Sequence, residues 1–184
     1  KNTRLNMSPA GLDEIRNWPT EKKLEELNYM ANTIPSSHEF VDYTFMITGV
    51  TRAYTHQQVR TRTASFAQQT HRVLKVSEGP GWGYATGPSI DTKERKHIYE
   101  ECMKDIDFSY KWLIRDGVAV EDARGILPTN ILTNIVMKIN MRNFVDLVRK
   151  RSSPRTQNEY RQVLDLMVAE VRKVHHWIDL FVNR

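Results

Sequence analysis

One cysteine, Cys102, stands in the 184 residues, so the chain offers neither a disulfide framework nor a thiolate metal site. Long apolar runs are missing too: none approaches the roughly 20 residues of a membrane-spanning helix. The opening segment, KNTRLNMSPAG, lacks the apolar core of a signal peptide, which makes the cytoplasm the expected address. Repeats, low-complexity tracts and long linkers are absent, and a single domain over residues 1–184 is expected. The most informative absence is local. Residues 57–72, QQVRTRTASFAQQTHR, hold Arg60, Arg62 and Arg72 and no acidic residue. Surface helices ordinarily mix charge signs, because lone positive charges gain nothing from one another. A stretch that repels itself is tolerable where an anion supplies the missing charge.

What is present fits that need. Apolar residues make up 40% and charged residues 27%, the profile of an ordinary globular protein, while a net charge of +5 favours anionic partners. Acidic residues gather in 91–107 (Asp91, Glu94, Glu100, Glu101, Asp105, Asp107), and arginines gather in 52–72 and 149–161. A nucleic-acid-binding module would account for the charge, but such modules interleave Lys/Arg rows with aromatics. Here 52–72 contains no lysine, and its arginines alternate with amides and hydroxyls. That pattern suits a pocket for one phosphorylated ligand, with neither nucleic acid nor membrane as partner.

The periodicities predict an α+β fold, mostly helical, with a small and mostly antiparallel sheet. Ser8-Pro9 reads as a helix cap with proline at the first helical position, and Thr20 opens a second helix. EFVDYTFMITG alternates as a strand ending at Gly49. RVLKV is a second strand candidate, followed by the glycine-rich GPGWGYATGP. Asp91 and Glu94 have capping-box spacing, with Ile98, Cys102, Ile106 and Leu113 as the apolar stripe of a long helix ending near Gly117. A brief helix around VEDARG stops at Pro128, and NIVMKIN is a strand or a buried helical turn. MRNFVDLVRKR is a helix with Phe144, Leu147 and Val148 inward. Thr156 and Glu159 form a second capping box, opening a helix that buries Tyr160, Val163, Met167, Val171 and Val174.

The segment GVTRAYTHQQVRTRTASFAQQTHR resembles the signature of the flavin-dependent thymidylate synthases, roughly R-H-R-x-x-S, a polar pair, then S-x-R. Arg60, Thr61, Arg62, Ser65, Gln68, Thr70 and Arg72 carry the match, with Gln57 three residues ahead of Arg60. ARGILP (Ala123–Pro128), Asn140-x-Arg142, Arg151 and Gln157-x-Glu159 follow in the family's order, and EFVDYTF resembles its strand entry. The resemblance covers about residues 35–165.

It implies an enzyme that methylates dUMP to dTMP, with methylenetetrahydrofolate as carbon donor and FAD, reduced by NADPH, as hydride source. It also implies a homotetramer with active sites shared between subunits. Substrate binding would fall to Gln57, Arg60, Thr70, His71, Arg72, Arg124 and Arg151, since guanidinium forks match a phosphate dianion. Arg151 and Thr70 would be the catalytic positions, Arg151 stabilising negative charge on the pyrimidine. Flavin contacts would come from Ser36, Glu39, Thr61, Arg62, Thr63, Ala67, Gln68, Asn140, Arg142 and Asp146.

Thymidylate synthases of the flavin-free type use a cysteine nucleophile. Cys102 stands beside Glu100 and Glu101, surroundings that work against a thiolate. Five positions depart from the family pattern: besides the three that follow, Ile34 or Pro35 falls near where many members carry a His, and Val73 replaces a frequent Tyr. Thr61 stands where the family usually has His, Ala67 replaces Asn or Ser, and Thr70 replaces Ser. The first two weaken the redox half of the site more than the nucleotide half. They motivate an alternative on the same scaffold, a folate-dependent 5-hydroxymethylase of dUMP or dCMP, in which water captures the transferred carbon. No metal is expected, because His175 and His176 have no acidic or cysteine partner at ligand spacing. Arg149 and Lys150, ending a helix, read as complements to its dipole, and Asn140 is also a natural helix cap.

Overall fold

The structure is a computed structural model that describes residues 8–33, 35–71 and 83–182. The described residues form two compact units. One takes those of Lys1–Phe45, Thr61–Ser65 and Lys138–Arg184, the other those of Met46–Arg60 and Phe66–Met137. Three strands, β1 (Asp42–Thr51), β2 (Ala64–Gln68) and β3 (Leu132–Asn140), make an antiparallel sheet in the order β1-β3-β2. The α+β expectation holds, and NIVMKIN resolves as strand. Alternate residues of β3 are buried (Thr133, Ile135, Met137, Ile139), the period-two signature of a sheet with one face inward.

In the first unit, α1 (Pro9–Arg16) starts as its sequence dictates: Ser8 Oγ accepts from Gly11 N at 3.1 Å, and Pro9 fills the first position. α2 (Thr20–Asn32) follows, then a 3-10 turn, Pro35–Phe40, that buries Ser37 and His38. The first-unit core gathers on α6 (Met141–Arg151), whose Phe144, Val145, Leu147 and Val148 are buried. Phe144 lies edge-on to Tyr43 and stacked on Phe45, each at 5.5 Å between centroids. Tyr43 bonds His175 Nδ1 at 3.0 Å, and burial pushes its hydroxyl up to about 12. α7 (Asn158–Val174) and α8 (Asp179–Val182) complete this unit.

The second unit contains α3 (Arg52–Gln58), α4 (Lys93–Arg115) and α5 (Val120–Ala123), with a 3-10 turn at Arg124–Ile126. Asn130 is its joint. One amide nitrogen donates to the Ala85 carbonyl at 3.0 Å and to the Tyr99 hydroxyl at 2.6 Å, tying α4 to the segment entering β3.

Several local expectations are corrected. Gly49 does not end its strand; with φ +66° it sits inside β1, which runs on to Thr51. The cap of α4 is Thr92, whose hydroxyl accepts from Arg95 N, while Asp91 pairs with the Arg95 side chain at 2.7 Å. The buried face of α4 carries Met103 and Tyr110, leaving Cys102 exposed and Ile98 64% exposed. Apolar residues lie on two faces of this helix, and their spacing alone did not tell which would be covered. α7 begins at Asn158 after Gln157 rather than from a Thr156 box, and Val174 in its last turn is 70% exposed. The strand candidate RVLKV lies outside the described residues.

Phe144→Ala would empty the centre of the first-unit core. It should cost about 3–5 kcal/mol, read as a lower urea midpoint with an unchanged slope. Acid should act through His38. Burial lowers its pKa, the Met30 carbonyl opposes that, and Arg142 and Arg149 lower it further. The folded chain therefore holds fewer protons than the unfolded one once pH falls below the ordinary histidine value of about 6.5. This contribution is intact above that pH and lost below it. His38→Gln should flatten the fall in melting temperature between about pH 6.5 and 5.

Candidate functional site

In the second unit, β3 and the residues that lead into it fix the geometry. The Ile131 carbonyl accepts from Arg52 N at 3.0 Å and the Thr129 carbonyl from Ala53 N at 2.8 Å, seating the first turn of α3. Asn134 holds the other side. Its carbonyl accepts from Gln69 N, its Nδ2 donates to Gln69 Oε1, and its Oδ1 accepts from Gly49 N, all at 3.0 Å. The Arg52 guanidinium then donates to the Gln69 carbonyl at 3.2 Å. Gln68 Nε2 donates to Thr55 Oγ1 at 2.8 Å, joining β2 to α3 a second time.

These links open a cavity of about 420 Å³. Arg52 and His56 of α3 line one side, with His71 from the segment after β2. Glu121, Arg124 and Gly125 line another, and Leu127–Thr129 and Ile131 complete it. Charge in the cavity is mainly of one sign. Burial lowers the His71 pKa, and the Arg52 and Arg124 charges lower it further. Arg52 is held down by burial and then by Arg124. Among the described residues, Glu121 is the one carboxylate in the lining, against the guanidinium groups of Arg52 and Arg124. The arrangement is complementary to a small anion.

Two expected substrate residues, His71 and Arg124, thus share a cavity. Gln57 is half-buried near the end of α3, and Arg60 is exposed just beyond it, its N–H bonded to the Gln57 carbonyl at 3.2 Å. Thr70 is exposed beside His71 without lining the cavity, and Arg72 lies outside the described residues. Ala67 is exposed on β2, and the Gln68 amide is engaged by Thr55. Arg52 and His56 were not anticipated as site residues. Their signal was there to read: a spacing of four puts both on one face of a helix.

The first unit brings together another set. The Thr61 side chain engages the Tyr160 hydroxyl, and the Arg151 guanidinium lies over the Tyr160 ring, 5.3 Å from its centroid. Burial raises the Tyr160 pKa, against the pull of the Thr61 bond and the Arg151 charge. Tyr160 read as core alone in the sequence; nothing there announced its two neighbours. Arg142 pairs with Glu39, and Ser36 is exposed on the same 3-10 turn as Glu39. Asn140 Oδ1 caps α6 by accepting from Asn143 N at 2.9 Å, and Asp146 is exposed one turn beyond Arg142. Arg62 and Thr63 are exposed in the turn before β2. No helix among the described residues is long and apolar enough to cross a membrane.

With this geometry in view, comparison defines the class. The family model described as thymidylate synthase complementing protein matches residues 4–176, and the chain belongs to that family. Among its curated relatives, the flavin-dependent thymidylate synthase of Sulfurisphaera tokodaii is 40% identical over 133 residues, which is 72% of this chain and 51% of that protein. Those of Clostridium tetani and Geobacter sulfurreducens are 31% and 32% identical, each alignment covering 93% of this chain and 75% of the relative. The chain therefore spans about half the length of the first relative and three quarters of the other two. The resemblance carried by the arginine-rich segment is borne out at the level of the family.

Both partners of the Arg142–Glu39 pair are 45% exposed, so solvent screens their attraction. A double-mutant cycle with Arg142→Ala and Glu39→Ala should give a coupling under about 1 kcal/mol in unfolding experiments.

Proposed function

We propose that this chain is a flavin-dependent thymidylate synthase-like methyltransferase, converting dUMP to dTMP in the cytoplasm. The observation that carries the reading is the mainly cationic cavity in which Arg52, His71 and Arg124 meet. Both units belong, on this reading, to one domain of that type. Gln57, Arg60, Thr70, His71, Arg72 and Arg124 bind the nucleotide, the arginines through paired charge-assisted hydrogen bonds to phosphate. Arg151 acts at the pyrimidine, where its charge stabilises the negative charge that develops as carbon 5 becomes nucleophilic. Tyr160 supports it, since the ring beneath the guanidinium limits where that charge can point. Thr70 contributes an exposed hydroxyl next to His71 as a hydrogen-bonding group.

The flavin would be held by Ser36, Glu39, Thr61, Arg62, Thr63, Ala67, Gln68, Asn140, Arg142 and Asp146. The donor set fits a flavin diphosphate. Arg62 and Arg142 are exposed cations, and Ser36 and Thr63 are exposed hydroxyls. Asn140 uses its oxygen as a cap, and its amide N–H groups are the part that can face a ligand. When bound, the FAD, reduced by NADPH, supplies the hydride that completes the methyl group, while methylenetetrahydrofolate supplies the carbon. A homotetramer with shared sites belongs to the same reading.

One observation favours a second reading. Thr61 stands at the position that resembles the family's histidine, and a threonine has no imidazole to present to the cofactor. A 5-hydroxymethylase of dUMP or dCMP would use the same nucleotide cavity and let water quench the transferred carbon.

The deciding experiment is mass spectrometry of the nucleotide after incubation with FAD, NADPH, methylenetetrahydrofolate and either dUMP or dCMP. A methyl gain on dUMP supports the synthase; a hydroxymethyl gain establishes the second reading; an unchanged nucleotide in both mixtures refutes both. Arg124→Ala should lower kcat/KM for the nucleotide by about tenfold to a hundredfold, the worth of one charge-assisted hydrogen bond.

A further inference from the structure

We infer that Thr61 is a positioning residue for Arg151, acting through Tyr160, and that its hydroxyl serves the pyrimidine side of the site. What Arg151 acts on rests on the nucleotide reading above; the geometry that directs it does not.

Three segments of the first unit meet at this point: the turn before β2, the end of α6 and the first turn of α7. Arg151 is the last residue of α6, and its guanidinium lies 5.3 Å from the centre of the Tyr160 ring. Its neighbours at the same helix end are spent otherwise. Arg149 donates to the Phe181 carbonyl at 2.6 Å, and Lys150 is exposed. Among the described residues, the Tyr160 ring is the partner that holds Arg151. A long side chain at a helix end keeps many rotamers, and ordering it costs entropy. An aromatic face draws the cation to one side and leaves its N–H donors unspent for a ligand.

The ring, in turn, is held by more than packing. Tyr160 is 1% exposed. A phenylalanine would fill the same space and attract a cation, without burying a hydroxyl. That hydroxyl is satisfied by the Thr61 side chain, which ties the far end of the ring to the turn before β2. A ring tied at one end and packed in the core presents one face to Arg151. The Thr61 methyl group and main chain remain for the flavin side; its oxygen is spent on Tyr160.

Nuclear magnetic resonance of the full chain with isotope-labelled arginine tests the geometry. Arg151, assigned by the signal missing in Arg151→Ala, should show side-chain protons shifted upfield by the ring beneath them. Thr61→Val removes the hydroxyl at nearly constant shape and should move that signal toward the free-arginine position. Thr61→Ser keeps the hydroxyl and should restore most of the shift. Tyr160→Phe removes the same bond from the other side and should match Thr61→Val. Kinetics tests the role. With FAD, NADPH and methylenetetrahydrofolate saturating, Thr61→Val should lower kcat about threefold to tenfold, the worth of one neutral hydrogen bond, and leave KM for dUMP within about twofold. An Arg151 signal unmoved by both Thr61→Val and Tyr160→Phe would overturn the inference. So would a full rate regained once FAD is saturating, as expected if Thr61 only holds the flavin, or a loss confined to KM. A moved signal in a chain that alters neither dUMP nor dCMP would refute the nucleotide reading and leave Thr61 a positioning residue for Arg151. If Thr61→Val does not give a folded far-ultraviolet spectrum, Tyr160→Phe alone decides.

Discussion

The hydrogen bonds of β3 are the constraint on which the second unit depends. At one end its approach holds the backbone of Arg52 and Ala53, and three residues further Asn134 holds Gln69 and Gly49. These are bonds between neutral groups, indifferent to salt and pH. Through them, a helix start and a strand exit far apart in sequence meet beside the Arg124 turn. Gly49 is part of the arrangement because its φ of +66° is a conformation that side chains with a Cβ rarely adopt. The polar chemistry of the cavity is built on a main-chain frame.

Two kinds of electrostatics coexist in the chain. Exposed pairs such as Lys111–Asp107 and Lys104–Glu101 are spaced three or four apart on α4 and are screened by water. They tune the surface and decide little. Arg52 and His71 differ: burial strips part of their hydration, the Arg124 charge bears on both, and both are driven toward neutrality. Arg151 has yet another solution. Its charge rests over the Tyr160 ring, an aromatic face that attracts a cation without neutralising it.

The sequence made some of this readable and hid the rest, for physical reasons. Helices with one clear apolar face were legible: α6 buries Phe144, Leu147 and Val148 as its spacing implies. α4 was not, because apolar residues occupy two of its faces, and neighbours unknown to a local pattern cover Met103 and Tyr110 rather than Ile98 and Cys102. Caps failed where two polar residues compete, as Thr92 displaced Asp91. Within the site, His71 and Arg124 were named from a family pattern, and the cavity unites them. Arg52 and His56 were missed because family patterns stress Arg60 onward, although helical spacing alone aligns the two. Tyr160 was seen as core, since an aromatic with an inward position carries no mark of what lies across its face.

The repulsion concentrated around His71 has a consequence for the life of the chain. Unfolding separates Arg52, His71 and Arg124 and rehydrates Arg52 and His71, which relieves a repulsion the folded chain carries. On the proposed reading, an anion seated among them would offset that repulsion, and its effect would grow with the logarithm of its concentration above the dissociation constant. Local opening exposes backbone to proteases, and closure hides it. The chain's resistance to degradation would thereby be tied to ligand supply, and its abundance would respond to the molecule it holds.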